Sequence, residues 1–241
     1  MSTTETHPEW PHQIRLAGQT AAHPGPVDMS MMYVMHHAFR RDLTAFSAAA
    51  RVTPATDRQA WAALAERWAL FSEALHHHHS GEDRALWPLL LERTDDAGRA
   101  TLRAMEDEHT EIDPILEACA AGFERLANHA DEDARAGLAV RLASGRERLA
   151  EHLRHEETEA IAIIQRVLAP EEWARLEEEE FKQGIRLSQL LALVPWAVHE
   201  VPPATRELLF APPGGTVHRV LWLLTRRRFR RREELAFRHV A

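Results

Sequence analysis

The sequence HHSGEDRAL, residues 78–86, has a partial repeat in HLRHEETEA, residues 152–160. In both segments a histidine precedes a glutamate by four positions, as His78 precedes Glu82 and His152 precedes Glu156. Residues four apart on an α-helix lie one above the other on the same face. Each segment therefore predicts an imidazole and a carboxylate side by side, which is a donor pair suited to a metal ion.

The composition of the chain favours helices. Of 241 residues 45% are hydrophobic and only 10 are glycine, and β-branched residues are few. Cap residues and breaks predict four long helices, at about residues 28–50, 57–93, 95–129 and 131–168, with a fifth starting after Ala169. The short turns between them predict antiparallel neighbours, and so an all-α, up-down-up-down four-helix bundle over residues 28–168.

Apolar residues recur at steps of three and four in each of these helices, as they do on the buried face of a bundle helix. The second helix shows the pattern at Trp61, Leu64, Trp68, Phe71, Leu75, His78, Glu82 and Leu89. Polar groups interrupt all four patterns, at His36, His78, Glu82, His109, His152 and Glu156. Burying one unpaired imidazole costs about 1–3 kcal/mol. Because all six can share one layer of the bundle, we expect them to bind metal together.

The donor types narrow the choice of metal. Imidazole and carboxylate without thiolate suit iron or manganese, with zinc as a further option. Four histidines and two bridging glutamates fill about eight of about twelve positions on two metals, so some positions stay open to water or a small oxidant. The single cysteine, Cys119, excludes disulfide frameworks and CxxC-type zinc or redox sites.

Several positions have alternatives that the sequence leaves open. His37 is the alternative to His36, His77 to His78, and Glu157 to Glu156; His78 is also preferred over His76 and His79 because of the apolar pattern. Tyr33, the only tyrosine, lies one turn before His36. It is either a packed aromatic side chain or a redox partner or proton donor for the metals.

Four segments in this order resemble the hemerythrin-like (HHE cation-binding) proteins over residues 28–168: His36 to Leu43, His78 to Pro88, Glu108-His109 and His152 to Glu157. The resemblance implies a pair of non-haem irons. Oxygen-carrying members have HxxxH in the third helix, where this chain has His109 and Asp113. Asp113 is either a replacement ligand or a solvated acid. One missing imidazole would move the role away from oxygen carriage and towards chemistry on an oxidant.

The expected function is accordingly a reaction with O2, peroxide or NO, either peroxide disproportionation or oxidation of a small substrate. The alternative is a non-catalytic module that binds or senses O2, NO or iron. The partner is a small diatomic molecule or peroxide in both cases, and the sequence alone does not decide whether the protein is an enzyme.

The remaining segments predict the surroundings of the bundle. Residues 1–27 are expected to form a flexible or loosely packed arm, and residues 169–241 a C-terminal helical extension with a basic tail. The apolar run 187–198 is too short and too interrupted for a membrane span, and the first 26 residues have no signal-peptide pattern, so a cytoplasmic location is expected.

The charge is unevenly distributed. The formal net charge is −8, although residues 219–241 carry eight Arg and two Glu. We expect this tail to dock on the protein's own acidic surface, for example residues 177–180, or on an acidic partner. No specific nucleic-acid binding is expected from so short a basic segment.

Overall fold

The computed structural model describes residues 9–212 and 215–240, and within these ranges the chain forms helices and turns but no strand. The all-α prediction is confirmed. The α-helices are α1 (Ser30–Val52), α2 (Arg58–Gly81), α3 (Trp87–Leu91), α4 (Asp96–Asn128), α5 (Glu132–His155), α6 (Ile161–Val167), α7 (Pro170–Leu176), α8 (Leu187–Ala197), α9 (Pro203–Leu209) and α10 (Gly215–Ala236). Within the described residues, the π-helical segments Glu82–Leu86 and Glu156–Ala160 join α2 to α3 and α5 to α6 end to end, and a third, Glu177–Phe181, extends α7.

Four long helical rods form the bundle. The rods are α1, α2 continuing into α3, α4, and α5 continuing into α6; α2 packs against α4, α4 against α5, α5 against α1, and α1 against α2. Three of the rods begin at an aspartate whose carboxylate accepts a backbone N–H of the first turn: Asp57, Asp95 and Asp131. Each such cap stabilises its helix by about 1 kcal/mol.

An aromatic cluster fills one end of the bundle. The ring of Phe46 lies 5.1 Å from that of Trp68 and 5.3 Å from that of Phe123, and Trp68 lies 5.0 Å from Phe71. These side chains are at most 2% exposed. Aromatic side chains bury large apolar areas, so this cluster stabilises the contact of α1, α2 and α4 at this end of the bundle.

The π-helical segments correct one detail of the predicted pattern. Trp87 N–H bonds to Glu82 O, five residues back, so the turn holds one residue more than an α-helical turn. The extra residue rotates the rest of the rod about its axis. Leu90 is therefore buried, as is Leu86 within the segment, whereas Leu89, which the regular pattern placed on the buried face, is half-buried.

The arm predicted over residues 1–27 lies partly outside the described residues, and its described part is packed on the bundle. Gln13 donates to Val27 O at 2.8 Å and accepts from Met29 N at 3.1 Å. Gln165 also donates to Val27 O, at 2.8 Å, and Thr20 N donates to Glu157 at 2.7 Å. Residues 9–27 are therefore hydrogen-bonded to Met29, which precedes α1, and to the last rod.

Helices α7 to α10 form the C-terminal extension. Helix α8 packs on α1 and α10, and α10 packs on α2. The main polar link is Asp42 of α1, which is 1% exposed and accepts from Arg67 Nε at 2.7 Å and from Trp196 Nε1 at 2.8 Å. The extension is thus joined to α1 by the buried Trp196, which donates to a carboxylate that also pairs with Arg67 of α2.

The basic tail makes several ion pairs with the bundle. Arg238 and His239 both contact Asp57, and Arg232 lies 3.6 Å from Glu66. The acidic run 177–180 pairs elsewhere, since Glu180 accepts from Arg84 and Glu177 lies 3.5 Å from Lys182. The ion pairs of the tail are therefore made with acids at the start of α2 and along it, and the example expected for them, residues 177–180, pairs with other residues.

Each helix within the described ranges is too short or too polar to cross a membrane.

Candidate metal centre

The six predicted ligands come together in one buried layer of the bundle. Each is at most 4% exposed: His36, His78, Glu82, His109, His152 and Glu156. The donor atoms form two groups, one of His36, His78 and Glu156 and one of His79, His109 and His152, and within each group they all lie within 4.8 Å of one another. This spacing suits two adjacent cations.

Two carboxylates lie between the two groups. Glu82 Oε1 is 3.2 Å from His78 Nε2, and Glu82 Oε2 is 3.6 Å from His109 Nε2. Glu156 Oε2 is 3.1 Å from His36 Nε2 and 3.9 Å from His152 Nε2. Each glutamate therefore reaches an imidazole of both groups, as a bridging carboxylate requires.

His79 belongs to the second group, although the sequence pattern favoured its neighbour His78. Its ring stacks on that of His109 with centroids 3.9 Å apart and planes 12° apart, and it is 2% exposed. Consecutive helical residues point about 100° apart, so His78 and His79 reach the two groups on either side of α2. The run of four histidines was the only sequence signal for this residue.

Three of the predicted alternatives lie outside both groups. His37 Nδ1 is 3.4 Å from Ala17 O, and His77 donates from Nε2 to Phe181 O at 2.8 Å. The Asp113 side chain is 46% exposed, and its Oδ1 lies 3.5 Å from His79 Nδ1. Asp113 therefore lies beside the imidazole of His79, a member of the second group.

Carboxylates hold the outward-facing nitrogens of three of the histidines. Glu157, the fourth alternative, accepts from His36 Nδ1 at 3.0 Å and from Arg40 at 2.7 Å. Asp83 accepts from His109 Nδ1 at 2.8 Å, and Glu108 from His152 Nδ1 at 2.8 Å. With the proton held on Nδ1, the lone pair of Nε2 points into the centre, which is how metal-binding histidines are usually oriented.

Several buried atoms of the centre have no hydrogen-bond partner within the described part of the chain. They are His36 Nε2, His78 Nε2, both ring nitrogens of His79, and both oxygens of Glu82 and of Glu156. Leaving one such group unpaired costs about 1–3 kcal/mol, and more when it is charged. The atoms all belong to the two groups or to the carboxylates between them, so a bound cation fits the donors that the fold provides.

The electrostatics of the centre keep its two carboxyl groups in different states. Burial and the nearby Glu156 raise the pKa of Glu82 well above its usual value. Burial acts in the same sense on Glu156, but the charge of His36 outweighs it and lowers the pKa of Glu156. Burial lowers the pKa of His36, but the negative charges of Glu156 and Glu157 outweigh burial and raise the pKa to about 9. The protons on Glu82 and His36 thus offset negative charge that a bound cation would also offset.

Glu82 and Glu156 each occupy the first residue of a π-helical segment. The N–H of Glu82 bonds to His78 O and His79 O, and that of Glu156 to His152 O and Leu153 O. Such bulges occur frequently at functional sites, where one extra residue in the turn re-aims the side chains around it. The two HxxxE segments therefore repeat in backbone geometry as well as in sequence.

Tyr33 lies next to this centre in a buried position. Its side chain is 1% exposed, and burial together with the negative charge of Glu157 raises the pKa of its hydroxyl. The hydroxyl therefore stays protonated, in keeping with either of the roles that the sequence left open.

Comparison with known proteins agrees with this geometry. A family model described as the hemerythrin HHE cation binding domain matches residues 28–164, which include all seven side chains of the centre. No curated protein and no solved structure gives a significant match to the chain. The match covers more than half of the 241 residues, and the chain therefore belongs to the hemerythrin HHE cation-binding family.

Proposed function

We propose that the chain binds two iron ions and uses them in chemistry on O2, peroxide or NO. The proposed ligands are five imidazoles and two shared carboxylates: His36, His78, His79, His109, His152, Glu82 and Glu156. The observation that carries the proposal is the position of Glu82 and Glu156, whose oxygens lie within 3.9 Å of imidazole nitrogens in both groups. Manganese and zinc accept the same donors.

The two halves of the centre are unequal. The group of His79, His109 and His152 supplies three imidazoles, whereas His36 and His78 supply two. Five imidazoles and two bridging carboxylates fill about nine of about twelve positions on two octahedral ions. The half at His36 and His78 has fewer protein donors, so a small oxidant would bind there.

The surrounding residues prepare the centre for redox chemistry. Glu157, Asp83 and Glu108 hold protons on the outer ring nitrogens, and Arg40 neutralises Glu157. The ring of Phe39, centred 5.3 Å from that of His78, keeps water from that side. Bound iron supplies one-electron steps between its ferrous and ferric states. In peroxide disproportionation, two molecules of hydrogen peroxide give two of water and one of O2.

The first test is metal content after anaerobic loading with ferrous iron. We expect about two irons per chain for the native protein, and clearly fewer for Glu82→Ala because both ions lose a shared ligand. Glu92→Ala is the matched control, since Glu92 is an exposed glutamate farther along the same rod. Less than one iron or manganese per chain in the native protein would contradict the proposal.

The position of His79 beside His109 and His152 favours a second candidate function, which is reversible binding or sensing of O2 or NO. The sequence argument against oxygen carriage rested on one missing imidazole in the third helix. The structure brings a fifth imidazole to the centre from the second helix instead.

Two measurements separate these functions. An absorption band that appears with O2 and disappears when O2 is removed would favour reversible binding. Gas evolution from hydrogen peroxide that is lost in His109→Ala and retained in the exposed-site variant His76→Ala would establish catalysis.

A further inference from the structure

A cavity of about 350 Å³ lies between the bundle and the C-terminal extension. Most of its wall is apolar and includes Met32, Met35, Ala74, Phe181, Leu193 and Val194. Small-molecule sites usually measure about 300–1,000 Å³ and are lined mainly by apolar side chains. The cavity therefore has the size and lining of a site for a small organic molecule.

The extension supplies a large part of the wall. Phe181, Leu193, Val194 and Phe210 all follow residue 164, where the match to the family ends. Helices α1 and α2 supply the opposite side. The cavity is thus formed by the contact between the bundle and a segment outside the family match.

The cavity reaches the candidate metal centre at one residue, His78. This imidazole lines the cavity and also belongs to the group that has only two histidines. Its ring lies 6.4 Å from that of Phe181. A molecule in the cavity would therefore lie beside the half of the centre that has fewer protein donors.

Phe181 is held at this position by two contacts with α2. Its carbonyl oxygen accepts from His77 Nε2 at 2.8 Å. Its ring packs on the backbone of Gly81, where an added Cβ would lie 2.8 Å from ring atom Cε1. The absence of a side chain at Gly81 thus allows the extension to close over α2 next to His78.

The charged groups of the wall argue for an uncharged ligand. Lys182 and Glu177 both line the cavity, and Lys182 Nζ lies 3.5 Å from Glu177 Oε2. Their charges offset each other, so neither is available to neutralise a charged ligand in an apolar site.

We propose that this cavity binds an uncharged, mainly apolar organic molecule and holds it against the His78 side of the metal centre. The proposal rests on the function proposed above, because it names the class of molecule that reaches that same centre. It also explains why the chain carries an extension whose buried apolar residues face the bundle.

The experiment uses 1-fluoronaphthalene as the probe, followed by ¹⁹F NMR on the full-length protein. We expect saturable binding to the metal-free protein, with affinity about tenfold weaker in Leu193→Trp, because the larger ring fills the cavity. Leu191→Trp is the matched control: Leu191 is on the same helix but is exposed and does not line the cavity. The charged analogue 1-naphthoate should bind at least about tenfold more weakly than the neutral probe.

A second measurement tests proximity to the centre. The ¹⁹F line of the bound probe should broaden when the protein holds paramagnetic ferrous iron and stay narrow when it holds diamagnetic zinc. Equal line widths would overturn the placement beside His78. Failure to take up either metal would count against the proposed function, whereas the metal-free titration would still decide whether the cavity binds the probe.

Three other outcomes of the binding experiment would overturn the proposal or part of it. No saturable binding, or equal affinity in Leu193→Trp and Leu191→Trp, would overturn the proposal, and tight binding of naphthoate would overturn the assignment to uncharged ligands. If Leu193→Trp does not fold, as judged by its thermal midpoint, Ala197→Leu adds a smaller volume to the same wall and takes its place.

Discussion

At the scale of single residues, the centre depends on how each imidazole is oriented. Glu157, Asp83 and Glu108 occupy the Nδ1 atoms of His36, His109 and His152. A histidine can present Nε2 to a metal only when its other nitrogen carries the proton. The acids around the centre therefore matter for metal affinity although none of them lies between the two groups.

The first prediction concerns Glu157. Glu157→Gln removes the charge that faces His36 and Arg40, so we expect iron affinity to fall by about 10–100-fold. Competition with a coloured chelator measures this, and Glu151→Gln, an exposed glutamate of α5, is the control. Equal affinities in the two variants would mean that Glu157 does not position His36.

The second prediction concerns the run of four histidines. His79→Ala should lower the iron content from about two to about one per chain, because it removes an imidazole from one group only. His76→Ala, an exposed site in the same run, should keep the native content. Metal analysis of both variants after the same loading measures these contents. An unchanged content in His79→Ala would remove this residue from the ligand set.

At the scale of elements, the link between α1 and α8 depends on one buried carboxylate. Burial alone would raise the pKa of Asp42, but Arg41 and Arg67 outweigh it and keep the pKa low. Asp42 is therefore ionised and holds two guanidinium groups as well as the indole of Trp196.

The third prediction follows from this link. Asp42→Ala should lower the free energy of unfolding by about 3 kcal/mol, because it removes the buried carboxylate that two guanidinium groups and an indole share. Arg67 then keeps only Glu233, at 3.2 Å, as an acidic partner. Urea unfolding measures the loss, and Asp107→Ala, an exposed aspartate on α4, is the control. A loss below about 1 kcal/mol would show that the ion pair is not a major contact.

At the scale of the whole molecule, the junction of bundle and extension should respond to acid through His199. Burial, together with Arg41 and Arg67, lowers the pKa of His199 to about 4. Arg41 also donates to the backbone oxygen of His199 at 2.7 Å. Protonating this imidazole would place a further positive charge beside two arginines.

The fourth prediction gives the direction of that response. The unfolded chain binds a proton at His199 near pH 6.5, whereas the folded chain does so only near pH 4. The contribution of His199 to stability is therefore full above about pH 6.5 and is lost as the pH falls towards 4. His199→Gln should flatten the fall of the thermal midpoint in this window, and the exposed-site variant His129→Gln should not. Parallel profiles for native protein and His199→Gln would contradict the assignment.

The sequence alone was sufficient for the bundle and for much of the centre. Aspartate caps act within one turn and mark the start of three rods, and the apolar pattern records which face of each helix is buried. Four rods and six of the seven central side chains could therefore be predicted. These signals come from residues within one helix, so they can be read without knowing how the neighbouring helices pack.

The other features of the centre and of its surroundings depend on the tertiary structure. His79 enters the centre because its ring meets those of His109 from α4 and His152 from α5, and nothing in a run of four histidines records those contacts. Leu86 and Leu90 replace Leu89 because a π-helical segment rotates the helix, which a regular pattern cannot express. The cavity beside His78 exists because helices α7 to α9 and α10 pack over the bundle, and such contacts depend on the packing of segments that are far apart in the sequence.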